Sequence, residues 1–213
     1  MPLLKREKVL GMIRLLIWDI REGEDFFLEG LTSFNWPTNE ISRVKHSGRR
    51  LELLASRYMM AMEFPELSGT ALHKTAKGKP FLVGSNKFIS VSHSRGMAGL
   101  AVADHPVGID ILHPDNRMKK LFPKFTTIGE IALNEADFNH TIHLIWCAKE
   151  AVFKAYGRGG LDFKTDMQVS NLQNPSEDWM EARLMLFPEA SPEEFKLYYR
   201  KLGELYLLCA CCD

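Results

Sequence analysis

The chain has 213 residues, enough for one domain or for two of about a hundred, and either can bury a real core. Its 27 basic residues balance 27 acidic ones, which argues against a nucleic-acid binder driven by bulk charge and leaves room for a local basic pocket. The four cysteines, Cys147, Cys209, Cys211 and Cys212, suggest no disulfide framework, so a reducing cytoplasm is the expected compartment.

The spacing of Cys209 and Cys211 does not fit a zinc knuckle and no second half-site accompanies them, so they read as thiols on a terminal apolar strand. Leu15-Leu16-Ile17, behind Lys5, Arg6 and Lys8, is too short for a signal segment. No stretch approaches the ~20 apolar residues that span a bilayer.

In chain order, Met12–Ile20 reads as a first strand and Glu24–Glu29 as a short helix. Trp36-Pro37 marks a break, after which Thr38 or Asn39 can cap one long helix from Glu40 to about Met62, with Ser47-Gly48 a point of interruption. Lys45, His46, Arg49, Arg50 and Arg57 make this the most basic neighbourhood, either a solvated face or an anion site. Lys77-Gly78-Lys79-Pro80-Phe81 is a turn with two lysines between extended segments. Phe88–Gly96 follows as a strand ending in Ser90, Ser92, His93, Ser94 and Arg95, where short polar residues can turn backbone N–H groups toward an anion.

Gly99–Ala103 is a further apolar run, and Val107–Leu112 a strand that sets Asp110 among aliphatic neighbours. An acid there is costly to bury unless capped, paired or bound to metal. Asn116–Asp137 is mixed, a mobile and partly helical excursion with Lys119, Lys120 and Lys124 beside Leu121, Phe122 and Phe125.

Ile145–Gly157 reads as a helix stopped by Gly157. Ile145, Ala148, Val152 and Ala155 form its apolar stripe, and Glu150 and Lys154 lie opposite as neighbours. Trp146 and Phe153 flank them, which favours a walled cleft over an exposed ion pair. Period-2 segments at Met167–Leu172, Trp179–Leu186, Phe195–Arg200 and Leu205–Cys211, with turns at Asn174-Pro175 and Leu202-Gly203, read as an antiparallel sheet. The order of elements suggests an α+β protein of two similar halves meeting near residue 107, namely 1–106 and 107–213.

Gly78-Lys79-Pro80, Ser90-Val91-Ser92-His93-Ser94, Gly108-Ile109-Asp110-Ile111 and Trp146 with Lys149-Glu150-Ala151 and Lys154-Ala155 stand in the order and spacing of a known family. Over roughly residues 40–165 the chain resembles the 4′-phosphopantetheinyl transferases, of the long, monomeric type that activates peptide synthetases and acyl carrier proteins. The resemblance implies a pseudo-dimer of two α+β halves, each a small antiparallel sheet on a long helix, with coenzyme A and Mg²⁺ in the cleft between them. It implies transfer of the phosphopantetheine arm to a serine of an apo acyl or peptidyl carrier protein, a transient partner, with release of adenosine 3′,5′-bisphosphate.

By that resemblance Asp110 and Glu150 are metal ligands and Lys154 contacts the pyrophosphate. Lys79, Pro80, Ser92 and His93 would meet the nucleotide end, and Arg57 and Arg50 the 3′-phosphate. Independently, Mg²⁺ takes hard oxygen ligands, a lysine one turn beyond Glu150 can stabilise the same developing charge, and Glu150 is the candidate base for the serine. Many relatives carry a second acid where this chain has Leu112, which predicts a weaker two-acid metal site. That departure also leaves open a non-catalytic relative that binds coenzyme A or a carrier, and the two acids alone would serve a metal-dependent phosphohydrolase.

Overall fold

The computed structural model describes residues 3–9, 12–132, 138–170, 180–187 and 193–212. The fold is α+β, with antiparallel sheets, and it divides into two compact units, Met1–Asp104 and His105–Asp213. None of the helices among the described residues is long and apolar enough to cross a membrane.

The first unit contains β1 (Leu3–Val9), β2 (Ile13–Asp19), α1 (Glu24–Ser33), α2 (Ser47–Glu63), β3 (Leu72–Lys74), β4 (Pro80–Leu82), β5 (Phe88–Ser94) and β6 (Met97–Ala103). Its main sheet has the order β1-β2-β6-β5, and β3 with β4 forms a separate hairpin. Trp18, Phe27, Leu31, Leu54, Met59 and Leu100 build the core between sheet and helices. β1 has no counterpart in the sequence reading, because its charges mask the strand period; exposed Arg6 and Lys8 suit an edge strand. Arg6, at 2.5 Å, and Arg14, at 3.3 Å, pair with the fully buried side chain of Glu63, tying the end of α2 to the β1–β2 hairpin.

The long helix begins later than expected. Thr38 to Arg43 form turns, with the amides of Ile41 and Ser42 donating to the Thr38 carbonyl, and Ile41 buries its side chain. His46 then caps α2, its Nδ1 accepting from the Arg49 amide at 3.3 Å, so Gly48 lies in the first helical turn rather than at a break. Buried Ile41 and the Arg50 bond to the Val44 carbonyl at 2.7 Å fold residues 40–46 back on the helix instead of extending it.

The second unit contains β7 (Val107–Leu112), α3 (Met118–Leu121), α4 (Ile128–Ala132), α5 (Phe138–Tyr156), β8 (Met167–Ser170), β9 (Met180–Leu186), β10 (Glu193–Leu202) and β11 (Leu205–Cys212). Its sheet runs β7-β11-β10-β9-β8 and is antiparallel throughout. β10 and β11 are joined at Gly203-Glu204, the expected turn, whereas Asn174-Pro175, Leu172 and Trp179 lie outside the described residues. α5 packs across β7 and β11 through Ile145, Ala148, Val152 and Ala155, the stripe read from the sequence. Upstream Ile142, also fully buried, continues that stripe, so the helix starts at Phe138. It stops at Gly157, whose φ of 68° few side chains tolerate.

Residues 116–132 are more ordered than a loose excursion: α3, a 3₁₀ turn at Phe122–Lys124, and α4. Phe125 is buried against Trp146, with ring centroids 4.9 Å apart, rather than exposed beside the lysines. The exposed apolar side chains here are Leu121 and Ile128.

Candidate active site

Alternation along β7 puts Gly108, Asp110 and Leu112 on the face toward α5. Gly108 sets the distance. A Cβ there would fall 1.8 Å from the Ala151 carbonyl oxygen and 2.7 Å from the Ala155 nitrogen, so only glycine lets the strand lie this close to the helix. Two residues on, Asp110 meets the α5 side chains at short range. Lys154 Nζ donates to Asp110 Oδ1 at 2.7 Å and to the Ile109 carbonyl at 3.0 Å.

Glu150 stands one turn before Lys154 on the same helix face. Burial raises its carboxyl above the ordinary value, the negative charge of Asp110 adds to the rise, and Lys154 opposes it. Cys147, one turn earlier again, is fully buried. Burial pushes its thiol well up, and the negative charge of Asp110 adds to the rise. Two acids and one ammonium therefore face one another, with the thiol buried one turn back along α5.

Leu112 shares the Asp110 face but packs on the apolar core, paired in register with Tyr206. Among the described residues no group of three or more His, Cys, Asp or Glu side chains is placed to hold a metal ion.

On another face of α5, Lys149 is completely buried. Its Nζ donates to the carbonyls of Phe125 and Phe163, both at 2.8 Å, and pairs with Glu130 at 2.7 Å. Burial lowers the Lys149 pKa and Glu130 opposes the fall. Glu130 is itself held by the amides of Thr127 and Val169, both at 2.9 Å. This network, which fixes the rotation of α5 and hence the aim of Glu150, escaped the sequence reading. The available signal was Thr127-x-x-Glu130, a capping box in which the Glu130 amide donates to Thr127 Oγ1 at 3.3 Å. Trp146 and Phe153 both lean on Phe163, with centroids 5.6 Å apart in each case.

The residues expected at the nucleotide end lie in the first unit, in separate settings. Arg50 is clamped by Glu24 through two bonds of 2.8 and 2.6 Å, which lower the Glu24 pKa, and both residues line a cavity of about 280 Å³ with Thr38 and Ser42. Arg57 is mostly buried, which lowers its pKa, and its nearest acid is Glu40 at 3.8 Å. His93 sits on β5 against Arg49 and 3.4 Å from Glu52, in a cluster with α2. Ser92 is buried on the same strand. Lys79 and Pro80 close the β3–β4 hairpin, where the Thr75 amide donates to the Lys79 carbonyl at 2.9 Å.

A family model described as the 4′-phosphopantetheinyl transferase superfamily matches residues 106–210. The match takes in Asp110, Glu150 and Lys154 together. The chain belongs to the 4′-phosphopantetheinyl transferase superfamily. A relative, the 4′-phosphopantetheinyl transferase gsp of Aneurinibacillus migulanus, is 27% identical over 176 residues, which is 80% of this chain and 70% of the relative. Phosphopantetheinyl transferases use coenzyme A as substrate and act on carrier proteins, and this chain is a transferase of that class.

Proposed function

We propose that this phosphopantetheinyl transferase is a Mg²⁺-dependent holo-carrier-protein synthase. It would move the 4′-phosphopantetheine arm of coenzyme A to a serine of an apo acyl or peptidyl carrier protein and release adenosine 3′,5′-bisphosphate. The observation that carries this reading is the meeting of Asp110, Glu150 and Lys154. Two carboxylates, one of them protonated more readily than usual because it is buried and the other is near, share a single ammonium. Such a pair fits a hard divalent cation, with waters and phosphate oxygens completing the shell where Leu112 supplies none.

Asp110 and Glu150 would hold the metal. Bound there, it supplies positive charge to the diphosphate oxygens and to the leaving phosphate. Lys154, which neutralises Asp110 in the free protein, is in reach to share its ammonium with the same oxygens. Glu150, whose carboxyl holds a proton to higher pH than an exposed glutamate, suits a base that takes the serine proton. The 3′-phosphate is assigned to Arg50 and Arg57, and the rest of the nucleotide end to Lys79, Pro80, Ser92 and His93. A phosphate arriving at Arg50 must share it with Glu24.

The carrier is expected to be acidic and to dock on exposed Lys119, Lys120 and Lys124 beside Leu121 and Ile128. A long helix and an antiparallel sheet in each unit support reading the chain as a duplicated α+β module acting as a monomer. Four cysteines without the number or spacing of a disulfide framework support a reducing, cytoplasmic setting. The alternative, a relative that binds coenzyme A or a carrier without catalysis, rests on Leu112. Incubation with coenzyme A, Mg²⁺ and several apo carriers, followed by intact mass measurement, separates the readings. The added arm is the expected result. Binding without mass gain on any carrier overturns the transferase reading, and coenzyme A breakdown without a carrier points to a hydrolase.

A further inference from the structure

His143 lies on α5 seven positions before Glu150, completely buried, and the chemistry assigned above does not use it. Its ring lies on Tyr206 of β11, with centroids 5.4 Å apart and planes 12° from parallel. Both ring nitrogens are engaged. Nδ1 is 2.6 Å from the Asn139 carbonyl, which can only accept, so Nδ1 carries the proton. Nε2 is 2.9 Å from the Asp115 amide, which can only donate, so Nε2 is the bare acceptor.

Asp115 is the residue from which α3 hangs. Its carbonyl accepts from the Met118 amide at 3.0 Å, and its carboxylate takes the Arg117 amide at 2.9 Å and the Arg117 guanidinium at 2.6 Å. A helix of four residues cannot fix its own direction, so α3 takes it from Asp115 and from buried Met118. At the far end of the same stretch, Lys164 donates to the Pro123 carbonyl and Lys149 to the Phe125 carbonyl, both at 2.8 Å. Residues 115–125 are therefore a strap held at one end by His143 and at the other by Lys149, six positions later on the same helix. Exposed Lys119, Lys120, Leu121 and Lys124 stand between the two clamps.

We propose that His143 is a positioning residue for carrier docking: its Nε2 holds the Asp115 amide and so sets the lysines of α3 in the frame of the helix that carries Glu150 and Lys154. This rests on the reading above that the carrier docks on these lysines. Without the acceptor, the Asp115 amide faces a dry ring edge, a cost that the strap relieves by lifting away. The docking-competent arrangement is then only part of the population, and the apparent affinity for the carrier falls by that fraction. Coenzyme A is assigned to none of these residues, so its binding is not touched.

The test compares His143→Phe and His143→Gln with the parent. Phenylalanine keeps a ring against Tyr206 and loses the acceptor, whereas glutamine loses the ring and keeps a carbonyl oxygen at about the reach of Nε2. His143→Phe should raise the carrier's KM by about 3–10-fold, the span of one hydrogen bond, and leave the KM for coenzyme A and kcat at saturating carrier within about twofold. His143→Gln should restore most of the carrier's KM, even where it melts below His143→Phe. Hydrogen exchange at the amides of residues 115–121 should quicken in His143→Phe, and exchange in the middle of α5 should not.

A second readout needs no variant. In the ¹⁵N-labelled parent, nuclear magnetic resonance should show a proton on Nδ1, none on Nε2, and a scalar coupling between Nε2 and the Asp115 amide nitrogen across their hydrogen bond. A carrier KM in His143→Phe equal to the parent's overturns the proposal. So does a KM that rises for both substrates together in step with lost thermal stability, or a proton on Nε2. If His143→Phe does not fold, the parent decides through that coupling and through the Asp115 amide, whose exchange saturating carrier should slow; an amide indifferent to the carrier overturns the proposal. A Lys119→Glu, Lys120→Glu variant with the parent's carrier KM overturns the docking reading instead, while the coupling still reports the His143–Asp115 bond.

Discussion

Gly108 lies directly against Ala151, its absent Cβ only 1.8 Å from that residue's carbonyl oxygen. Both partners are backbone, so neither can swing aside. Gly108→Ala must push β7 off α5 or twist it, and with it Asp110, two residues on. We expect a loss of about 2–3 kcal/mol, typical of overpacking against a rigid neighbour, or a fall in thermal midpoint of roughly 5–10 °C. Half-saturating Mg²⁺ should rise in whatever remains folded. A melting curve superimposable on the parent's would show that the contact is softer than drawn.

Glu150 makes the metal-free protein less stable than it need be. Its carboxyl is held above the ordinary value by burial and by Asp110. A carboxyl whose folded value is raised lends stability below its unfolded value and loses it as pH rises through the folded one. In chelator at about pH 8, Glu150→Gln should therefore melt higher than the parent, by about 2–4 °C for each kcal/mol relieved. The advantage should vanish near pH 4, about where an unperturbed glutamate takes up its proton. Transfer activity should be lost at every pH. A Gln variant that melts lower than the parent at pH 8 contradicts the account.

How far the sequence announced this site depends on the range of each interaction. β7 and the α5 stripe were legible because period and composition act locally: Val107–Leu112 was expected with the observed ends, and Ile145, Ala148, Val152 and Ala155 face the core as read. The partner of Lys154 was not legible. Spacing along a helix offers Glu150, four positions away, and gives no sign of the bond of 2.7 Å to Asp110, 44 positions away, a pairing that only strand-on-helix packing creates. Cys147 and Glu130 carried no signal strong enough to be singled out, because a buried thiol and a capping glutamate are common. The start of α2 was missed because Ile41 and Arg50 draw residues 40–46 into turns by contacts distant in the chain.

Lys149 and Glu130 should behave as a buried pair that tolerates joint loss better than single loss. Lys149→Met strands Glu130 and the carbonyls of Phe125 and Phe163 in a dry interior, at an expected cost of about 3–5 kcal/mol. Adding Glu130→Gln removes the stranded charge and keeps an acceptor for the amides of Thr127 and Val169. The double variant should be destabilised by clearly less than the sum of the singles in denaturant titrations, and strict additivity would mean the pair is not coupled.

Lys119→Glu with Lys120→Glu should raise the KM for an acidic carrier by about tenfold and leave the KM for coenzyme A unchanged. Both lysines are exposed on α3 and far along the chain from the residues assigned to the nucleotide. The parent's carrier KM should also climb with salt, as expected for steering by exposed charge, and the double variant's should climb less. Steady-state rates at two ionic strengths check both points. An equal rise in both KM values would place these lysines elsewhere in the reaction.

Leu112→Glu should restore a third carboxylate to the Asp110 face, since positions 110 and 112 of β7 point the same way. The change removes an apolar side chain from the core edge opposite Tyr206, so in chelator the variant should melt below the parent. Magnesium should then stabilise it more steeply than the parent, because the cation relieves three converging acids rather than two. The half-saturating Mg²⁺ for transfer should fall, by about tenfold if the new oxygen enters the metal's shell. A variant that needs as much Mg²⁺ as the parent would mean that Leu112 is not what limits the affinity of this site.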